Sequence, residues 1–226
     1  MAEPTPRATI SWQSPTLTRP VKLAVLVSGG GTTLANVAKR IEDGLLFASV
    51  ETVLVSRNGV GGLSVCERHG LPYTVIPRKP YGKDTQRFSD DLFSKIRDAD
   101  ADLICLAGFL CLLKIPDDFR HRVLNIHPSL LPSFGGPGMY GKRVHEAVLS
   151  HGTKLTGCTV HFADDTYDTG PIVAQRACPV ASDDTPDTLA ARVFEQECEA
   201  FPEAIAAWAE GRITVEHGIA QVTPKH

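Results

Sequence analysis

The sequence predicts an α/β fold, a single domain built on a mostly parallel, wound sheet flanked by helices. Three observations carry this. Val21–Val27 is an apolar run that ends at Ser28-Gly29-Gly30-Gly31-Thr32-Thr33. Leu34, Val37, Ala38 and Ile41 then recur at helical spacing, so strand, glycine turn and helix follow one another. Short apolar runs and helical patterns keep alternating to the end of the chain, which is the signature of crossover units and a parallel sheet.

The elements follow in order. Val50–Val55 reads as the second strand, and 62–69 as a helix that Gly70 closes in the left-handed conformation glycine tolerates. Tyr73–Ile76 is a third strand. Phe88, Leu92 and Ile96 line one face of a helix over 84–98. Leu103–Ala107 and Val123–Ile126 are the fourth and fifth strands. Val144, Ala147 and Val148 mark a short helix. Residues 156–162 and 172–180 form two later strands around a turn at Asp168. A final amphipathic helix starts at Asp183-Asp184-Thr185, with Pro186 in its first turn and Leu189, Val193 and Ala200 inward, and runs to about Trp208.

The chain has 226 residues, 42% hydrophobic and 22% charged, which is enough for one sizeable core. Residues 21–216 are read as that domain. Residues 1–20, rich in Pro and Thr, are read as a flexible N-terminal tail, and 217–226 as a C-terminal tail. A net charge of −3 argues against a nucleic-acid surface. No apolar run reaches the roughly 20 residues a membrane helix needs. The six cysteines show no CxxC pair and no metal spacing, and Cys66, Cys105, Cys158 and Cys178 sit in apolar surroundings. Buried free thiols fit a reducing compartment, so a cytoplasmic location is expected.

Asn125-Ile126-His127-Pro128-Ser129-Leu130-Leu131-Pro132 says most about chemistry. Strand periodicity puts Asn125 and His127 on one face, and Pro128, with no N–H for the ladder, stops the strand. An amide and an imidazole therefore project together from a strand's carboxyl end, where ligands bind in open α/β sheets. Asp164-Asp165-Thr166-Tyr167-Asp168-Thr169-Gly170-Pro171 offers a carboxylate in a turn. Amide, imidazole and carboxylate suit a reaction that builds an oxyanion and moves a proton. His161, on a strand near them, is assigned a supporting or structural role.

Gly29, Gly30 and Gly31, with Thr32 and Thr33, stand between a strand and a helix, where backbone N–H groups approach an anion. A dinucleotide fingerprint is not met, because Leu34 stands where Gly or Ala belongs and no ribose acid ends the second strand. Gly136-Pro137-Gly138-Met139-Tyr140-Gly141-Lys142 starts like a phosphate loop, but Arg143 replaces the magnesium-binding hydroxyl, so it is read as a loop near the site. Leu110, Cys111, Leu112 and Leu113 run from the fourth strand into a loop whose side chains and open backbone suit either core or a flat heterocycle. No local HxxxH or cysteine partner supports a metal.

The Asn125–Pro132 string, Gly157-Cys158-Thr159-Val160-His161-Phe162 and Asp168-Thr169-Gly170-Pro171-Ile172 resemble the folate-dependent formyltransferases, with the likeness running from about Val21 to Val215. The resemblance implies a formyltransferase-like, Rossmann-like topology. It implies formyl transfer from 10-formyltetrahydrofolate, as co-substrate, to the amine of glycinamide ribonucleotide in purine synthesis. Asn125, His127 and Asp168 would be catalytic, with Asp168 partnering the histidine. Gly29–Thr33 would hold the substrate phosphate and Glu197 its ribose. Leu110–Leu113, Asn125, Asp164 and Asp165 would face the cofactor. The sequence departs from the family where an Arg often stands at Cys111 and an Asn at Thr33. Formyltetrahydrofolate hydrolase, other folate-dependent formyltransferases and a non-catalytic binding module remain alternative readings.

Overall fold

The computed structural model describes residues 11–225 of the protein. Seven strands form the main sheet: β2 (Val21–Val27), β3 (Ala48–Val55), β4 (Tyr73–Val75), β5 (Leu103–Leu106), β6 (Val123–His127), β7 (Leu155–Phe162) and β8 (Ile172–Pro179). Their order is β4-β3-β2-β5-β6-β7-β8. The first five are parallel, while β7 pairs antiparallel with β6 and β8 antiparallel with β7. The expected mostly parallel wound sheet is therefore observed.

Among the described residues, five α-helices flank it: α1 (Thr32–Glu42), α2 (Gly61–Arg68), α3 (Thr85–Asp98), α4 (Lys142–Ser150) and α5 (Pro186–Ala209). The alternation of side chains along β2 divides the core in two. Leu23, Val25 and Val27 pack with α1, α2, α4 and α5, whereas Ala24 and Leu26 pack with Phe88, Leu92, Phe93 and Ile96 of α3. Helix α5 starts where the sequence places it: Thr185 caps it reciprocally with Thr188, and Pro186 occupies the first turn.

Both terminal segments depart from the tail reading where they are described. Residues 1–10 and 226 lie outside the described residues, but Trp12–Gln13 and Ile219–Val222 are built into a second sheet. It consists of β1 (Trp12–Gln13), β9 (Ile213–Glu216) and β10 (Ile219–Val222), in the order β1-β9-β10. Trp12 packs on His121 and Phe162 with ring centroids 4.9 and 5.7 Å apart. Ser14 exchanges two hydrogen bonds with Ile213, and Arg19 forks onto Asp102 at 2.5 and 2.8 Å. At the other end His217 and Gly218, both at positive φ, make a two-residue hairpin turn. β1 is too short to carry a local period, and it is stabilised by β9, a partner distant in sequence.

Candidate active site

The site begins at the edge between β6 and β7. Leu124 and Ile126 point into one core layer and Val123 into the other. Asn125 and His127 share the face of Val123, farther towards the carboxyl end. Antiparallel pairing sets His161 opposite Asn125 and Thr159 opposite His127. Register alone thus places an amide and two imidazoles on one patch of sheet.

Asp168 closes the patch from the β7–β8 loop, where it sits in the left-handed region at φ 59°. Gly135 passes beside it: a Cβ there would meet the Leu131 side chain first and Asp168 Cβ at 3.3 Å. The Gly136 N–H donates to Asp168 Oδ2 at 2.8 Å. Asn125 Nδ2 lies 3.4 Å from Oδ1. The carboxylate stands 3.6 Å from both His127 Nδ1 and His161 Nε2. The expected trio is assembled, and His161 joins it as a fourth member.

The hydrogen bonds set the tautomers of the neutral rings. His161 Nδ1 faces the Phe162 carbonyl at 2.9 Å, so it carries a proton. In the neutral ring Nε2 is then an acceptor and takes an N–H of Asn125 at 2.9 Å. The reverse amide orientation would turn Asn125 Oδ1 onto a lone pair and a carboxylate, so His161 determines which end of Asn125 faces the site. His127 Nε2 faces the Phe134 carbonyl at 2.9 Å and must also be a donor, which leaves Nδ1 as the basic position towards Asp168.

Burial pulls the His127 pKa below its ordinary value, and the Asp168 carboxylate only partly offsets this. Asp168, expected to partner the histidine, favours the protonated imidazole, but desolvation is the larger effect. His127 therefore rests neutral near pH 7. For Asp168, burial would raise the pKa. The two imidazoles and the Gly136 N–H outweigh it, and the carboxyl is held below its usual range.

A cavity of about 630 Å³ opens on this cluster. Asn125, His127 and Asp168 line it with Leu110, Cys111, Leu112 and Leu113, and so do Thr32, Thr33, Asp164 and Glu197. Its far end is the start of α1, where no side chain caps the first-turn N–H groups. Glu197 reaches in from α5, and burial pushes its pKa up to about 7.

A family model described as formyl transferase matches residues 21–205. The chain belongs to the formyl transferase family. It is 39% identical over 196 residues to a protein of Vigna unguiculata named phosphoribosylglycinamide formyltransferase, chloroplastic, covering 85% of this chain and 62% of that one. It is 42% identical over 200 residues to the trifunctional purine biosynthetic protein adenosine-3 of Gallus gallus, covering 88% of this chain and 19% of that one. The chain thus spans less than two thirds of the length of these relatives. A solved glycinamide ribonucleotide transformylase 1 from Symbiobacterium toebii matches with a TM-score of 0.85 at 34% identity, over 92% of this chain and 96% of that one.

Within this formyl transferase fold, some expected contacts are placed elsewhere. Asp165 does not line the cavity. Its carboxylate accepts from the Ile115 N–H at 3.0 Å and approaches Lys114 Nζ at 3.4 Å, tying down the end of the 110–115 loop. Asp164 lines the cavity, yet its oxygens are taken by Thr166 and Thr169 of its own turn. Gly29, Gly30 and Gly31 stand behind Thr32 and Thr33, not in the wall. Gly31, at φ 78°, packs on the backbone of Gly62, so part of the glycine run serves close approach of α1 and α2. The 136–141 loop does border the site, and Lys142 pairs outside it with Asp187.

The sequence reading missed His145, buried in the first turn of α4, together with Phe194 and Tyr167. His145 directly follows Val144 on a helix with an apolar face, and nothing in that spacing separates it from a core histidine. Among the described residues, no group of three or more His, Cys, Asp or Glu side chains is placed to hold a metal ion.

Proposed function

We propose that this chain transfers the formyl group of 10-formyltetrahydrofolate to the amine of 5-phosphoribosylglycinamide, a step of purine biosynthesis. One observation carries the reading. A single cavity joins an uncapped helix N-terminus and the Glu197 carboxyl to the Asn125–His127–Asp168 cluster, along an apolar wall from Leu110 to Leu113. The helix end suits a phosphate, the carboxylate suits ribose hydroxyls and the wall suits a flat ring. The names of the relatives from Vigna unguiculata and Symbiobacterium toebii support the same substrate.

In this reading the amine attacks the formyl carbon and a tetrahedral oxyanion forms. The second N–H of Asn125, loosely held at 3.4 Å from Asp168, turns to that oxygen. One such donor is worth about 10²–10³ in rate. The amine gives up a proton to the His127–Asp168 pair, and Asp168 stabilises the imidazolium so formed. The bond between the formyl carbon and the folate nitrogen breaks as the proton is delivered to that nitrogen. Holding both reactants in one cavity removes roughly 7–11 kcal/mol of barrier. Free thiols at buried Cys66, Cys105, Cys158 and Cys178 support a cytoplasmic location.

The test is formation of tetrahydrofolate with and without the nucleotide. Turnover should rise by orders of magnitude when it is added, and the dephosphorylated nucleoside should serve poorly. Rapid turnover without any amine would favour a hydrolase.

A further inference from the structure

Among the described residues, four buried side-chain atoms have no hydrogen-bond partner: Arg78 Nη1, His121 Nδ1, His145 Nδ1 and Thr156 Oγ1. His145 alone of these residues lines the main cavity. Arg78 lines a second cavity, about 450 Å³, which shares only Leu110 and Cys111 with the first. His121 and Thr156 line neither. His145 is thus a polar group only 4% exposed, beside the reaction site, that the chemistry described so far does not use. A buried polar ring without a protein partner is costly, and a ligand in the cavity relieves that cost.

Its surroundings narrow the ligand. Helix α4 packs against α5, which contributes Ala190, Ala191, Phe194 and Glu197 to the same cavity. Burial lowers the His145 pKa, and the charge of nearby His127 lowers it further. The positive end of α4 acts in the same direction. The ring is therefore neutral near pH 7, with one donor nitrogen and one acceptor. Because Nδ1 is buried, Nε2 is the polar atom left for a ligand to reach. With the proton on Nε2, the buried Nδ1 keeps only a lone pair and the reachable atom is a donor.

We propose that His145 is a substrate-binding residue that reads the glycinamide carbonyl of the nucleotide, with its Nε2–H as the donor. This rests on the function proposed above. In that reading the phosphate sits at the start of α1, the ribose at Glu197 and the attacking amine at Asn125, His127 and Asp168. The segment between ribose and amine is –NH–CO–CH₂–, and it spans the stretch of wall that His145 shares with α5 and His127. Its best acceptor is the carbonyl oxygen. A neutral N–H matches that oxygen without adding a charge beside His127. Holding the carbonyl also sets the direction of the adjoining CH₂–NH₂ group, so one contact supplies both affinity and alignment of the amine.

Calorimetric titration with 5-phosphoribosylglycinamide and its thioamide, whose sulfur is a poorer acceptor, tests this. The full-length protein should bind the amide about tenfold more tightly than the thioamide, the worth of one neutral hydrogen bond. His145→Leu should weaken the amide by about tenfold, bind the two nucleotides equally and leave tetrahydrofolate affinity unchanged. His145→Gln, which keeps a side-chain N–H, should recover part of the preference. If His145→Leu does not fold, histidine ¹⁵N spectra of the unaltered protein carry the test: the His145 Nε2–H resonance should move as the nucleotide saturates, and a fixed resonance contradicts the proposal. Equal binding of the two nucleotides by the unaltered protein, or a preference that survives in His145→Leu, would overturn this proposal alone. Failure of the unaltered protein to bind either nucleotide would overturn the proposed function with it.

Discussion

Asn125 Nδ2 donates to His161 Nε2 at 2.9 Å across the β6–β7 pair, and this bond fixes which end of the amide faces Asp168. A residue on the neighbouring strand thereby controls a donor that the proposed reaction uses. His161 acts through Asn125, so the two should not behave independently.

His161→Ala should therefore lower kcat by about 10–100-fold with little change in either KM. Adding Asn125→Ala should cost much less in that background than in the parent. A double-mutant cycle in kcat checks this, and additive losses would separate the two residues.

The acid limb of the pH–rate profile should reflect His127, whose pKa burial holds below its ordinary 6.5. The proposed reaction needs the neutral imidazole, so activity should persist below pH 6.5 and fall only as His127 takes up a proton. Asp168 raises this pKa, so Asp168→Asn should shift the limb to still lower pH. It should also slow the plateau, because the imidazolium formed in the reaction loses its counter-charge. A limb that moves upwards would break the assignment.

Thr32→Glu tests the anion end. An acidic side chain in the first turn of α1 complements the helix dipole, so the melting temperature should stay level or rise. The same charge repels a phosphate, and the nucleotide KM should increase at least tenfold while the folate KM stays nearly constant. Position 31 is unsuitable for this purpose, since any side chain there meets the Gly62 backbone.

Glu197 has a sign that can be worked out. Its pKa is pushed from 4.5 up to about 7 in the folded protein. Between those values the folded state binds more protons than the unfolded state, so its stability contribution falls as pH rises and is lowest above pH 7. Glu197→Gln should therefore melt higher than the parent at pH 8, and the difference should vanish below about pH 4.5. Differential scanning at several pH values reads this directly. The same variant should bind the nucleotide less well at pH 8.

Much of this molecule can be read from the chain, and the exceptions have a common cause. Strands β2, β5 and β6 announce themselves because burial on both faces requires continuous apolar runs, and α3 and α5 because one buried face imposes a 3.6-residue period. Asn125 and His127 stand out because polar groups interrupt such a run just before Pro128. Trp12 gives no such signal. Its strand is two residues long and depends on β9, near the opposite end of the chain. Asp165 looks like Asp164 in sequence, and only the position of the Ile115 N–H shows that it anchors a loop.

The terminal sheet has a consequence for stability. Trp12→Ala should cost about 2 kcal/mol from lost apolar burial, which lowers the melting temperature by roughly 4–8 °C in a chain of this size. Turnover at 25 °C should be unaffected, since β1 lies outside both cavities. Thermal melting with a parallel assay distinguishes this from a free tail, for which neither would change.

The most direct measurement follows the formyl carbon itself. With ¹³C-labelled 10-formyltetrahydrofolate and 5-phosphoribosylglycinamide, mass spectrometry of a single turnover should find the label on the glycinamide nitrogen and almost none in free formate. His127→Ala should abolish that signal without unfolding the protein. Label recovered mainly as formate, at a rate indifferent to the nucleotide, would contradict the account.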